Sequence, residues 1–188
     1  MAHQFSKEAV ERVKKLKDKY PDSQSAVMPA LYVAQEEIGF VNQEAIDWVA
    51  EQVDMAPVHV KELATFYTMY YQQPVGKYHF QVCRTLSCAV RGSKKLMNHL
   101  KNRFGVDPHE VTEDGMWSYE AVECLGSCGT APMCEINDRF FENLTPELLE
   151  DIINKIEKEK PDLRYSTKLD KLGDGLSEYP CSVIRPKE

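Results

Sequence analysis

The sequence has no C-x-x-C pair, no G-x-G-x-x-G run and no uninterrupted apolar stretch approaching a bilayer's thickness. The first absence argues against a thioredoxin-type dithiol, which wants that spacing before a helix. The second argues against a nucleotide site on this chain, because the glycine fingerprint lets a backbone approach a pyrophosphate. The third argues against a membrane-spanning helix, which needs ~20 apolar residues, so no direct membrane insertion is expected. Positive charge is also short. Lys and Arg number 23 against 30 Asp and Glu, for a net charge of -7. Such a surface repels phosphate backbones, so no nucleic acid is expected as a partner. It argues equally against simple docking on anionic lipid. The five histidines, at positions 3, 59, 79, 99 and 109, show no ligand spacing. A centre in which histidines replace two cysteines is therefore not expected.

What remains is an ordinary globular composition, 43% hydrophobic and 28% charged over 188 residues. That length makes one domain or two small ones, with a core that needs no disulfides. The N-terminus lacks an apolar signal core, and its first helical stretch carries Glu8, Glu11 and Asp18, whereas transit peptides are poor in acids. The expected location is cytoplasmic. Thiols stay reduced there, so six cysteines point to metal or redox chemistry rather than to staples.

The first 74 residues read as a helical bundle. Ser6 caps a helix from 7 to about 19, with Val10, Val13 and Leu16 on one stripe. A second helix is predicted over 24–38 with Gly39 as its stop. Asn42 caps a third over 43–53, and Pro57 opens a fourth with Val60, Leu63, Ala64 and Tyr67 inward. Phe66, Tyr67, Tyr70 and Tyr71 at its end read as core aromatics. After Pro74-Val75-Gly76 the period changes. Tyr78, Phe80 and Val82 alternate with polar neighbours, which predicts a strand over 77–82. A helix over about 91–104, a strand over 117–123, a hairpin of 133–136 and 139–142 around Asn137-Asp138, and a helix from Pro146 to about 159 follow. The run Glu157-Lys158-Glu159-Lys160 reads as a solvated helix end. The order strand, helix, strand, hairpin, helix builds a small sheet with helices packed on it. The predicted architecture is thus α+β: residues 1–74 a bundle, 75–160 an α/β domain and 161–188 a C-terminal tail.

Four cysteines form two pairs, Cys83/Cys88 as C-x4-C and Cys124/Cys128 as C-x3-C, each just after a predicted strand. Loops at strand ends are anchored yet open, which suits a cofactor. Gly126 and Gly129 around the second pair allow tight left-handed turns, which aim amide N–H groups at one point. Ser87 and Ser127 add hydroxyl donors. Spacing alone fits a [2Fe–2S] cluster and a four-cysteine zinc site equally. Cys134, inside a predicted strand, reads as a small buried hydrophobe, and Cys181 as incidental.

The segments Val82-Cys83-Arg84-Thr85-Leu86-Ser87-Cys88, Arg91-Gly92 and Val122-Glu123-Cys124-Leu125-Gly126-Ser127-Cys128-Gly129-Thr130-Ala131-Pro132-Met133 closely resemble the E subunit of NADH–quinone oxidoreductase. Thr65-Phe66-Tyr67-Thr68-Met69-Tyr70, Pro74-Val75-Gly76-Lys77-Tyr78, Asn137-Asp138 and Glu142-Asn143-Leu144-Thr145-Pro146-Glu147 extend the likeness to about residues 25–157. The resemblance implies a helical bundle followed by a thioredoxin-like ferredoxin domain, with one [2Fe–2S] cluster on Cys83, Cys88, Cys124 and Cys128. It implies electron transfer with no catalytic acid, base or nucleophile on this chain. It also implies a partner subunit that holds FMN and NADH, within the peripheral arm of respiratory complex I. That places the chain at the inner (cytoplasmic) membrane only through the complex. Two departures stand out. Cys134 falls where the family pattern leads us to expect another residue. The tail after Pro161 exceeds the family core, and its Tyr165, Leu169, Leu172 and Tyr179 suggest a clamp on a neighbour. The competing expectations are the equivalent diaphorase subunit of an NAD-linked hydrogenase or formate dehydrogenase, and a zinc-bound structural adaptor.

Overall fold

The computed structural model describes residues 3–164. Cys181 and the four tail residues singled out above lie outside them. Contacts divide the chain into two compact units, with the boundary between Pro74 and Val75.

The first unit contains four helices: α1 (Lys7–Lys17), α2 (Val27–Ile38), α3 (Gln43–Val53) and α4 (Pro57–Phe66). Their starts are written locally. The Ser6 hydroxyl accepts the Ala9 N–H at 3.0 Å, and Asn42 Oδ1 accepts the Ala45 N–H at 2.8 Å. Two expectations need correction. Ala9 joins Val13 and Leu16 on the buried stripe of α1, and Val10 is 40% exposed. At ~100° per residue, positions 9 and 10 straddle the stripe, and the smaller side chain faces the crowded core. Residues 24–26 form a 3-10 turn before α2, not its first α-turn. Pro29 has no N–H to bond back four residues, so the α-helix cannot begin a full turn before it. The aromatic run divides as well. Tyr70 is fully buried, with its hydroxyl donating to Met28 O at 2.9 Å, whereas Phe66 is 76% exposed.

The second unit holds β1 (Tyr78–Cys83), α5 (Leu86–Arg91), α6 (Ser93–Phe104), β2 (Trp117–Val122), β3 (Cys134–Ile136), β4 (Arg139–Phe141) and α7 (Pro146–Glu159). The sheet order is β2-β1-β3-β4. β1 runs parallel to β2, from Tyr78 opposite Trp117 to Cys83 opposite Val122, and antiparallel to β3. Tyr78, Phe80, Val82, Trp117 and Tyr119 pack one face against Leu96 and Leu100 of α6 and the apolar stripe of α7. The expected single helix over 91–104 is two helices. Gly92, at φ +106°, ends α5 in the left-handed region and α6 starts after it. Asn137 opens the hairpin turn at φ +53°, the conformation a two-residue turn of this hand requires. Its side chain also accepts the His79 N–H at 2.9 Å and donates to Lys77 O at 3.0 Å, which extends the pairing of β1 with β3.

His79 lies on the other face of β1 and is nevertheless only 3% exposed. Its ring bonds Ser118 Oγ at 2.7 Å and Glu120 Oε1 at 3.1 Å, so burial leaves no polar atom of the ring unmatched. No helix among the described residues is long and apolar enough to cross a membrane.

Candidate metal centre

Parallel pairing is what brings the cysteines together. Because β1 and β2 run the same way in register, both chains leave the sheet at the same edge. Cys83 is the last residue of β1 and Cys88 lies in the first turn of α5, while the segment after β2 carries Cys124 and Cys128. Arg84 N–H still pairs with Val122 O at 2.9 Å, holding the two exits side by side.

Two arginines then join the loops. Arg84 bonds Glu123 Oε1 through Nε at 3.0 Å and Nη2 at 2.5 Å. Arg91, at the end of α5, donates from Nε to Ala131 O at 2.5 Å. The sequence offered no signal for these bonds, because each partner lies some 40 residues away.

The sulfurs form two pairs. Cys124 Sγ and Cys128 Sγ are 3.6 Å apart and exposed, while Cys83 and Cys88 are buried beneath them at 2% exposure each. Two thiolates on one tetrahedral metal at about 2.3 Å stand roughly 3.8 Å apart, so the exposed pair has the spacing of half a tetrahedral shell. Among the described residues, no group of three or more His, Cys, Asp or Glu is placed to hold a single metal ion. A binuclear cluster would ask only two thiolates for each iron, which one cysteine pair supplies.

The electrostatics repeat from pair to pair. Burial pushes the Cys83 thiol up. The Thr85 hydroxyl at 3.1 Å, together with the Thr85, Cys88 and Leu125 groups that bond its sulfur, outweighs burial and holds it below the ordinary thiol value. Cys88 is raised, first by burial and then by the neighbouring Cys83. In the exposed pair, the Gly126 N–H at 3.4 Å lowers Cys124, helped by Cys128 and Thr85, and Cys128 is raised by Cys124. Each pair therefore holds one thiol below and one above the ordinary thiol value. A cation drives the second proton off, so these donors suit a positively charged iron centre. Thr85 reaches both Cys83 and Cys124, and Leu125 reaches Cys83, so the two loops interlock around the sulfurs.

Two expectations change. Gly126 takes the left-handed turn at φ +84°, but Gly129 does not; it sits in a 3-10 turn with ordinary geometry. Ser87 does reach a sulfur, that of Cys128. The Ser127 hydroxyl instead bonds Glu142 and Thr130. Thr85, not singled out beforehand, supplies a further hydroxyl, to Cys83 and Cys124. Cys134 is fully buried on β3, and burial pushes its thiol far up, which fits a small core hydrophobe.

The sequence profile of the thioredoxin-like [2Fe–2S] ferredoxin family matches residues 13–157. The NADH-quinone oxidoreductase E subunit of Rickettsia bellii is 41% identical over 155 residues, covering 81% of this chain and 93% of that protein. The E 1 subunit of the Rhizobium meliloti NADH-quinone oxidoreductase is 44% identical over 162 residues, covering 85% of this chain and 59% of its own length. Among solved structures, an air-oxidised NAD+-reducing [NiFe]-hydrogenase chain superposes with a TM-score of 0.64 at 20% identity. That match covers 86% of this chain and 25% of the hydrogenase chain, and it speaks for the fold alone. By profile, by identity and by architecture, the chain belongs to the thioredoxin-like [2Fe–2S] ferredoxin family, that of the NADH–quinone oxidoreductase E subunits.

Proposed function

We propose that this chain holds one [2Fe–2S] cluster on Cys83, Cys88, Cys124 and Cys128, and that it passes single electrons within an NADH–quinone oxidoreductase. The observation that carries the reading is the facing of two cysteine pairs, one at 3.6 Å, by loops that leave the same sheet edge. When bound, the cluster supplies one-electron exchange without bond-making by side chains. The chain's own residues do the rest. Cys83 and Cys88 anchor from the buried side, and Cys124 and Cys128 close the exposed side. Thr85, Gly126 and Leu125 point hydrogen-bond donors at the sulfurs, which offsets their charge.

Within this reading, residues 75–160 form the cluster domain and 1–74 a helical bundle. The FMN- and NADH-binding site belongs to a partner subunit, and the exposed Cys124/Cys128 edge faces it. The assembly holds the chain on the cytoplasmic face of the membrane. The hydrogenase likeness keeps the diaphorase subunit of an NAD-linked hydrogenase as the second reading. Metal analysis of anaerobically prepared protein is the test. Two irons and two acid-labile sulfides per chain, with a rhombic S = 1/2 EPR signal on reduction, are expected. Stoichiometric zinc without sulfide sinks the cluster. Co-purification with a flavin subunit and quinone reductase activity, rather than with a hydrogenase, separates the two assemblies.

A further inference from the structure

Glu142 follows β4 and is remote in sequence from the cysteines, yet its carboxylate sits on the Cys128 loop. Its Oε1 accepts the Thr130 hydroxyl at 2.6 Å and also the Ser127 hydroxyl. The two hydroxyl oxygens are 2.6 Å from each other. Each hydroxyl owns one hydrogen, and an ionised carboxylate only accepts. Both hydrogens are thus taken up among these three oxygens or, for Thr130, by the Ser127 carbonyl oxygen at 3.2 Å, and neither is left to point at sulfur. The next two residues grip the same loop through their backbones. Asn143 N–H donates to Thr130 O at 2.7 Å, and Leu144 N–H to Pro132 O at 2.9 Å. This grip is anchored, because Phe141 and Leu144 on either side are each 3% exposed. Residues 127–132 pair with no strand, and the exposed Cys128 depends on them for its position.

From this geometry we infer that Glu142 is a positioning residue for the cluster: it fixes the loop carrying Cys128 and withholds the Ser127 and Thr130 hydroxyls from the sulfurs. The inference rests on the cluster reading above. Charge-assisted bonds of this kind are shorter and about twice as strong as neutral ones, so one carboxylate can hold both hydroxyls. Its negative charge beside the site also disfavours an added electron and keeps the reduction potential low.

The test compares full-length, anaerobically prepared protein with Glu142→Ala, Glu142→Gln and the double variant Ser127→Ala/Thr130→Val. The readouts are EPR g-values, midpoint potential and the half-life of the visible absorbance in air. Glu142→Ala is expected to shift the g-values, raise the potential and shorten the half-life several-fold. Glu142→Gln keeps an acceptor oxygen but loses the charge. It should retain wild-type g-values and half-life while its potential still rises. The double variant removes the two hydroxyls with little loss of bulk. It should shorten the half-life as Glu142→Ala does, and adding Glu142→Ala to it should shorten it no further, because the residues act as one unit. Wild-type g-values and half-life in Glu142→Ala, failure of Gln to rescue, or simple additivity with the double variant would each overturn the role. Iron and sulfide are measured first on wild type. Their absence sinks the cluster itself, whereas a normal wild-type cluster with insensitive variants sinks only the part assigned to Glu142.

Discussion

Gly76→Ala isolates how β1 is seated beside β2. Gly76 is buried two residues before β1, and its N–H donates to Ser118 Oγ at 2.8 Å. A Cβ at this position would lie 2.5 Å from Trp117 C, 2.7 Å from Ser118 N and 2.8 Å from Trp117 Cα. All three are backbone atoms, so no rotamer change relieves the clash. Carbon contacts are comfortable at about 3.5–4.0 Å, so β2 must retreat by roughly 1 Å. Overpacking of this kind costs about 1–3 kcal/mol. Stretching the buried bond to Ser118 adds about 1–3 kcal/mol, while the stiffer unfolded chain returns about 0.4–1 kcal/mol. The net loss is about 1–6 kcal/mol, centred on about 3 kcal/mol, against a stability of about 5–15 kcal/mol. Urea unfolding of the full-length protein, followed by circular dichroism, measures it. Gly39→Ala is the control: its Cβ would meet nothing within 4 Å, and only its φ of +95° is strained. That control should lose about 1–2 kcal/mol, the lower end of left-handed strain. If Gly76→Ala unfolds within about 0.5 kcal/mol of wild type, the steric argument is wrong.

Three further outcomes are expected. Cys83→Ala should yield protein without iron or sulfide, because one lost thiolate leaves a metal short of a ligand, while Cys134→Ala should retain both at wild-type stoichiometry. Thr145→Ala removes the hydroxyl that accepts Leu148 N–H at 3.2 Å at the start of α7, and should cost about 1 kcal/mol in the same unfolding assay. Burial, and secondarily Asp138, push the Glu135 carboxyl up to about 7. The folded protein therefore holds that proton where the unfolded chain has released it, and stability falls as pH rises from about 4.5 to about 7. Glu135→Gln cannot titrate, so its urea midpoint should fall less than the wild type's between about pH 5 and about pH 8; parallel curves would refute this.

Much of this molecule is legible where the signal is local. Ser6, Asn42 and Thr145 announce their helices because a cap needs only the next three residues. The cysteine pairs are legible for the same reason, since ligand spacing is short. What escaped the sequence depends on partners far along the chain. Thr85 gains its place at two sulfurs only when β1 and β2 align. Glu142 meets Ser127 and Thr130 only after β3 and β4 fold back. Pro74-Val75-Gly76 reads in the sequence only as the point where the period changes, and the steric demand of Gly76 appears only with Trp117 beside it. Amphipathic period likewise placed the stripe of α1 without deciding between Ala9 and Val10. Phe66 shows the limit of composition as a guide, since a large aromatic at the end of α4 faces outward.

The in-register run from Tyr78 opposite Trp117 to Cys83 opposite Val122 has a consequence for how such a chain can vary. Distance in sequence between the two cysteine pairs is the looser constraint, because the connection between α6 and β2 can change length without moving either exit. Alignment is constrained absolutely. A slip of β2 by one residue would carry Cys124 about 3.3 Å along the edge and turn its neighbours to the opposite face. Growth of the connecting segment is therefore open to drift, while the phase of the two strands is not.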